Sequence, residues 1–386
     1  MIPYGRQQLD EDDVKAVVET LTSNWLTQGP AIPKFETALA DYCGANFGIA
    51  VNSATSALHI ACLALGVSES DRVWTSPNSF VASSNCALYC GATVDFVDID
   101  LQTGNMCMKA LKRKLEYAQS INKPPKVVIP VHFAGQPCDM EGLHALAKQF
   151  GFYVIEDASH AVGAKYKGAF VGSGQYADIC VFSFHPVKII TTMEGGMALT
   201  NNSEWAEKMR MLRSHGITNN TTLMTEKSHG PWYYQQTSLG FNYRMTDVEA
   251  ALGLSQLDKL EVFLEKRNAL AAHYDKLFSE CKDITPLKQN ADGYSSYHLY
   301  VVRIDSLTDK QHADLVTNLR GQGIFAHVHY IPIHMQPYYK NLGFKKGDFP
   351  NAETYYQQAI TLPLFPDLTF EQVEFVVEKL SVEINN

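Results

Sequence analysis

The sequence predicts an α/β protein: a mainly parallel sheet flanked by helices in a large domain, followed by a smaller α+β domain at the C-terminus. Three observations predict it. Short β-branched runs alternate with stretches at helical spacing from about residue 47 onward, the pattern of βα units. The 386 residues exceed what one small core organises and suit two unequal lobes, drawn here at 1–265, including an N-terminal arm, and 266–386. No internal repeat or low-complexity tract competes with that reading.

Residues 10–21 open with Asp10-Glu11-Asp12-Asp13 and carry apolar positions at helical spacing, which suits a helix whose first turn is acidic. A turn over 24–30 follows, then a second helix from about Pro33, where proline is tolerated in the first turn. Phe47-Gly48-Ile49-Ala50-Val51 reads as a short buried strand running into Asn52-Ser53-Ala54-Thr55-Ser56, with a helix reaching about Leu65. Free backbone N–H groups at that helix start, with the Thr55 and Ser56 hydroxyls beside them, form an anion site, although a Ser/Thr cap more often only caps. Strand 72–75, helix 79–89, strand 93–97, helix 108–119, strand 126–131, helix 139–150 and strand 153–156 follow. A strand-like run over 177–184 comes next, and Glu194-Gly195-Gly196 opens another. Ligands on such sheets gather at the carboxyl ends of the strands. Residues 215–240 turn polar and irregular, a loop, and Thr246 or Asp247 then caps a long helix running toward Leu264. In the smaller lobe the pattern gives strand 296–304, helix 308–322, strand 324–330 and a closing helix 370–380.

Composition narrows the function. Apolar residues make up 46% and charged residues 19%, ordinary for a soluble globular enzyme. The net charge of −9 advertises neither nucleic acid nor anionic membrane as a partner, so an anionic ligand must be met locally. Eight cysteines without a CxxC pair, mostly inside apolar runs, read as buried free thiols in a reducing cytosol. The N-terminus lacks a basic stretch followed by an apolar one, and no apolar run reaches membrane-spanning length. The expected location is cytoplasmic.

The chemistry concentrates in 176–200. Lys188 stands alone among Val187, Ile189 and Ile190, while the nearest other lysines are Lys165, Lys167 and Lys208. Burying an ammonium in apolar surroundings lowers its pKa and frees the amine as a nucleophile toward carbonyl carbon, which is Schiff-base chemistry. The ordinary alternative is a surface lysine whose stem covers apolar neighbours. Ser183 can offer a hydroxyl to a phosphate, and Gly195-Gly196 let the backbone pass close to a bound ring. Asp157 ends a buried strand, where a carboxylate needs a cationic partner. Strand alternation puts His327 and His329 on one face, with His334 nearby, but no cysteine or carboxylate completes a first shell, and no metal is expected.

Ser183-Phe184-His185-Pro186-Val187-Lys188 followed by Glu194-Gly195-Gly196, and Gly240-Phe241-Asn242-Tyr243-Arg244-Met245-Thr246-Asp247, resemble motifs of the sugar-nucleotide aminotransferases of the DegT/StrS type. These are pyridoxal-phosphate enzymes of the aspartate-aminotransferase fold, fold type I. The resemblance runs from about Tyr4 to about Leu380, with the motifs in the family's order. It implies Lys188 as the Schiff-base and proton-shuttle lysine. It also implies Asp157 as the partner of the pyridine nitrogen, Phe80 as the ring that stacks on the cofactor, and His160 beside the ring substituents. Ala54, Thr55, Ser183 and, from the neighbouring chain, Asn242 fall at the cofactor phosphate. For the substrate it implies Tyr4, Trp25, Leu26, Thr27, Arg244, His329, Gln336 and Tyr338, although Trp25 and Phe80 taken alone read as core. Arginine suits a diphosphate because its planar fork donates in pairs.

The implied activity is transfer of an amino group, from L-glutamate by family analogy, to C4 of a UDP-linked 4-keto-6-deoxy-N-acetylhexosamine. The closest branch is the UDP-4-amino-4,6-dideoxy-N-acetyl-beta-L-altrosamine transaminases of pseudaminic acid biosynthesis, acting as homodimers with shared sites. The alternatives are another UDP- or dTDP-4-keto-6-deoxy sugar as acceptor, or a non-catalytic pyridoxal-phosphate-binding regulator. A sugar dehydratase on this scaffold would carry histidine where Lys188 stands. A nicotinamide enzyme is disfavoured because no GxGxxG follows the first strand.

Overall fold

In the computed structural model, which describes residues 1–385, seven strands form one sheet. They are β1 (Phe47–Val51), β2 (Arg72–Thr75), β3 (Thr93–Phe96), β4 (Val127–Ile129), β5 (Tyr153–Asp157), β6 (Ile179–Ser183) and β7 (Gly196–Thr200). Their spatial order is β1-β7-β6-β5-β4-β2-β3, and only β7 runs against its neighbours. The mainly parallel sheet is thus present. Alternation along β4 shows how it is filled: Val127 and Ile129 join one apolar cluster and Val128 the opposite one. A strand covered on both faces needs this continuous apolar run.

Of the helices α1 (Glu11–Leu21), α2 (Ala31–Cys43), α3 (Ala54–Ala64), α4 (Ala82–Tyr89), α5 (Met108–Ser120), α6 (Met140–Phe150) and α7 (Ser203–Arg213), the last six cover the sheet, and α1 packs on the helix that begins at Asp247. Asp10 caps α1 in a reciprocal box with Asp13. α8 (Asp247–Leu257) and α9 (Leu260–Phe278) follow. The single helix expected to run toward Leu264 is therefore two. Thr246 caps α8 in a box with Glu249, but the chain breaks at Asp258 and Lys259. At the break Lys259 pairs with Asp10 and Asp13 at the start of α1, long-range partners that no local residue type announces.

The helix expected from 79 begins three residues later, at Ala82. Side chains compete with it: Ser76 accepts from Asn78 N at 3.1 Å, and the Asn78 amide donates to Gly104 O at 3.2 Å.

In the C-terminal lobe, strands Thr285–Pro286, Tyr300–Arg303 and Ala359–Leu362 form a small antiparallel sheet, covered by α10 (Asp309–Gly321) and the last helix, Phe370–Asn385. Expected strand 296–304 shrinks to Tyr300–Arg303 because Tyr297 takes a left-handed backbone, φ 45°. Only Ile324–Phe325 of the run 324–330 is a strand, and it pairs with Ile2–Pro3. Beyond it the backbone leaves the ladder, with one bridge from His327 to Thr361. The helix Pro350–Gln358 and the strand after it were not anticipated.

The boundary drawn at 265/266 falls inside α9, whose first turns pack in the large-lobe core (Leu260, Phe263, Leu264) and whose last turns pack in the small-lobe core (Leu270, Tyr274, Phe278). Ile2, assigned to the larger lobe from sequence, packs in the small-lobe core.

Candidate active site

The carboxyl ends of β5 and β6, the start of α3 and the connection from β6 to β7 enclose a cavity of about 430 Å³. It brings together Tyr4, Ala54, Thr55, Phe80, Asp157, His160, Ser183, Lys188 and His329 from widely separated parts of the chain.

Lys188 is presented by a tight connection after β6. Its N–H donates to His185 O at 2.9 Å, and Thr191 Oγ1 and Thr192 N close the loop on Phe184 O. Burial lowers the Lys188 ammonium from the ordinary lysine value to about 8, against the opposing pull of Asp157. The other lysines differ: Lys167 pairs with Glu141, Lys208 pairs with Glu204, and Lys165 lies over the Phe170 ring.

Asp157 ends β5 and is almost fully buried. Ser83 donates to its Oδ2 at 2.5 Å, and Ser159 donates to its Oδ1 through the hydroxyl at 2.6 Å and the backbone at 3.2 Å. Ser79 continues the chain at 2.6 Å from Ser83. Three donors fix the orientation of this carboxyl group where it lines the cavity.

Ser53, in extended backbone, caps α3 by accepting from Ser56 N, and Ser56 Oγ donates to Asn52 at 2.7 Å. The Ser56 hydroxyl is therefore engaged inside the turn, a correction to its expected part in an anion site; Ser53, Ala54 and Thr55 line the cavity instead. The N–H groups of the first helical turn have no intrahelical acceptor, which suits an anion. The glycine that matters here is Gly196, where a Cβ would stand 2.4 Å from Ala54 N, so β7 and the α3 start meet only without a side chain.

His160 is buried, its Nε2 sharing a hydrogen bond with the Tyr330 hydroxyl at 3.1 Å and its Nδ1 lacking a partner. Burial, then the Lys188 charge, then His329 push its pKa well below the usual imidazole value. His329 is lowered to about 3 by burial first, then by His327 and Lys188. Both imidazoles are thus held neutral on the wall of the cavity that Lys188 also lines. Tyr330 lines the cavity and was missed from sequence, because a lone tyrosine in Ile-Pro-rich chain carries no chemical mark.

The remaining predicted residues do not line this cavity. Trp25 is 55% exposed rather than core. Leu26 O accepts from Asp247 N at 3.0 Å and Thr27 bridges Thr246, so the Trp25–Thr27 turn and the segment carrying Asn242 and Arg244 form one surface region. Arg244 lines a second, open depression with Trp232 and Tyr234. Gln336 and Tyr338 also lie outside the cavity, and Tyr338 is 60% exposed. It is Tyr339 that turns inward, bonding Ser84 at 2.5 Å and Asn85 at 2.6 Å. His327 and His329 do stack, ring centroids 4.5 Å apart, but His334 is held by Glu353 at 2.9 Å, and no metal-binding cluster occurs among the described residues. All eight cysteines are free, and no described helix is long and apolar enough to cross a membrane.

A buried amine and an anchored carboxylate in one cavity, with a helix start that a strand approaches closely at Gly196, fit an aldehyde cofactor with a basic ring nitrogen and a phosphate. Known proteins resemble the chain throughout. It is 38% identical to the UDP-4-amino-4,6-dideoxy-N-acetyl-beta-L-altrosamine transaminase of Campylobacter jejuni serotype O:23/36, covering 98% of this chain and 96% of that one. Among solved structures, Helicobacter pylori PseC, an aminotransferase of pseudoaminic acid biosynthesis, superposes with TM-score 0.90 at 34% identity over 100% of this chain and 99% of that one. The putative sugar aminotransferase Spr1654 of Streptococcus pneumoniae, in its PMP-form, gives TM-score 0.91 at 32% identity over 100% and 99%. Residues 7–381 match a single family along nearly their whole length, and the chain belongs to the DegT/DnrJ/EryC1/StrS aminotransferase family.

Proposed function

We infer that the protein is a pyridoxal-phosphate-dependent transaminase that moves an amino group from L-glutamate to C4 of a UDP-linked 4-keto-6-deoxy-N-acetylhexosamine, on the route to pseudaminic acid. The observation that carries it is one cavity holding both the Lys188 amine, lowered to about 8, and the Asp157 carboxylate fixed by Ser83 and Ser159. The UDP-altrosamine and PseC relatives support the acceptor, and the PMP-form relative supports the cofactor.

Bound pyridoxal phosphate supplies an electron sink and carries the amino group from donor to acceptor. Lys188 would hold the cofactor through its Nζ, and that amine, lowered to about 8, is placed to accept and return a proton near neutral pH. Asp157 holds the ring nitrogen protonated. Ser53, Ala54, Thr55 and Ser183 would hold the phosphate and Phe80 would cover the ring, while neutral His160 and Tyr330 line the same cavity. The donor leaves as its 2-oxo acid and the sugar ketone becomes an amine. Tyr4 and His329 line the mouth used by the sugar, and Asn242 and Arg244 act in the neighbouring chain of a homodimer.

Incubation of the purified protein with glutamate and a panel of nucleotide-linked 4-keto sugars, read by mass, tests this. The UDP-linked N-acetyl sugar should show the amine-for-ketone mass change. Conversion of glutamate with amination of a different sugar would replace the acceptor.

A further inference from the structure

The chain between α7 and α8 contributes nothing to the Lys188 cavity, yet it displays rings to solvent. Its base is a two-stranded ribbon, Ile217–Thr218 against Gln235–Gln236. Gln235 ties the loop together, accepting from Thr225 N at 2.7 Å and donating to Glu226 O and the Tyr233 hydroxyl at 3.1 Å each. Tyr233 in turn packs on His229, with centroids 4.6 Å apart. On this anchored base Trp232 is 74% exposed and Tyr234 59% exposed. Exposed large rings grouped together mark a binding surface.

Both rings line an open depression of about 440 Å³ whose other wall includes Arg244. The Arg244 backbone is pinned to Val51 by a bridge, while no carboxylate pairs with its guanidinium among the described residues. An unpaired guanidinium fork beside an exposed indole offers two complementary contacts: paired donors for phosphate oxygens and an apolar face for a planar base.

We propose that Trp232, with Tyr234 beside it, is the stacking platform for the base of a nucleoside diphosphate whose phosphates Arg244 holds. This rests on the reading above that the acceptor sugar is nucleotide-linked, and it adds where the base sits. The depression and the Lys188 cavity share no lining residue, so the platform requires the shared-site homodimer of the reading above, with the sugar entering the Lys188 cavity of the neighbouring chain. Stacking accepts any base face, so the platform supplies affinity and leaves the choice between uracil and thymine to other contacts.

The test uses cofactor-loaded full-length protein and calorimetric titration with UDP and with dTDP. Trp232→Ala should weaken both by about tenfold or more, the range expected when a base loses its aromatic platform. Trp232→Phe should recover most of the loss. KM for the nucleotide sugar should rise in step with Kd for UDP. Tyr117→Ala, which removes a ring 66% exposed on α5, should titrate as wild type. Unchanged UDP affinity in Trp232→Ala overturns the platform and leaves the nucleotide-linked acceptor standing. Dissociation of the Trp232→Ala dimer at the titration concentration overturns it in favour of a subunit contact. Failure of wild-type protein to bind either nucleotide, while it still converts glutamate, overturns the nucleotide-linked acceptor itself.

Discussion

The Ser83 hydroxyl donates to Asp157 Oδ2 across 2.5 Å, from a side chain with no exposed surface. Ser83 comes from α4 and Asp157 from β5, so the helix after β2 aims the carboxylate on a different strand. A hydrogen bond to a charged group is worth about 1.5–3 kcal/mol, and about 1.4 kcal/mol is tenfold in rate. Ser83→Ala should lower kcat by about tenfold or more with KM for glutamate little changed, in stopped-flow measurement of the glutamate half-reaction. A KM effect alone would mean that Ser83 does not position Asp157.

Lys188 gives a pH dependence with a definite sign. Its folded pKa, about 8, lies below the unfolded lysine value of about 10.4, so between the two the unfolded chain binds more protons and cofactor-free protein gains stability as pH rises. Lys188→Met should flatten that rise in denaturant titrations run across the window. Capture of added pyridoxal phosphate should accelerate as pH passes through about 8, since the unprotonated amine attacks. Borohydride reduction and peptide mapping should then place the pyridoxyl group on Lys188, and a label on Lys165, Lys167 or Lys208 would refute the assignment.

Asp157→Asn keeps the shape of the side chain but loses the charge that holds a ring nitrogen protonated. The variant should retain cofactor, because the phosphate contacts and Lys188 remain, and lose orders of magnitude in transamination. Near-normal turnover would show that the ring nitrogen needs no anion here.

Asn242 and Arg244 lie outside the Lys188 cavity of their own chain. Co-expressing Lys188→Ala chains with chains in which Asn242 and Arg244 are both alanine, under two tags, isolates the mixed dimer. Action in trans gathers every lesion into one of its sites and should return activity toward half of normal. A doubly tagged dimer no more active than its parents would place both residues in their own chain's site.

Strand β2 was legible to the residue, because the run Arg72–Thr75 is apolar within and bounded by polar turns. The sequence marked Lys188 as a lone charge among apolar residues and Asp157 as a carboxylate ending a buried strand, and the fold brings the two to one cavity. Where long-range partners decide, the sequence is silent. Lys259, at the break between α8 and α9, pairs with Asp10 and Asp13, about 250 residues away. Ser83 looks like any helix serine until Asp157 stands opposite it. Tyr338 and Tyr339 are adjacent and chemically identical, and only packing determines which faces the core.

Helix α9 has a mechanical consequence. Because its first turns are fastened in one core and its last turns in the other, neither lobe can melt without stripping half the anchorage from the same rod. The chain should lose heat-resistant structure in one cooperative step, and calorimetry should record a single transition whose calorimetric and van't Hoff enthalpies agree. A chain ended at residue 265 would expose the underside of a severed helix and lose the small-lobe partners of Ile2, and it should fail to give a cooperative transition in the same calorimeter.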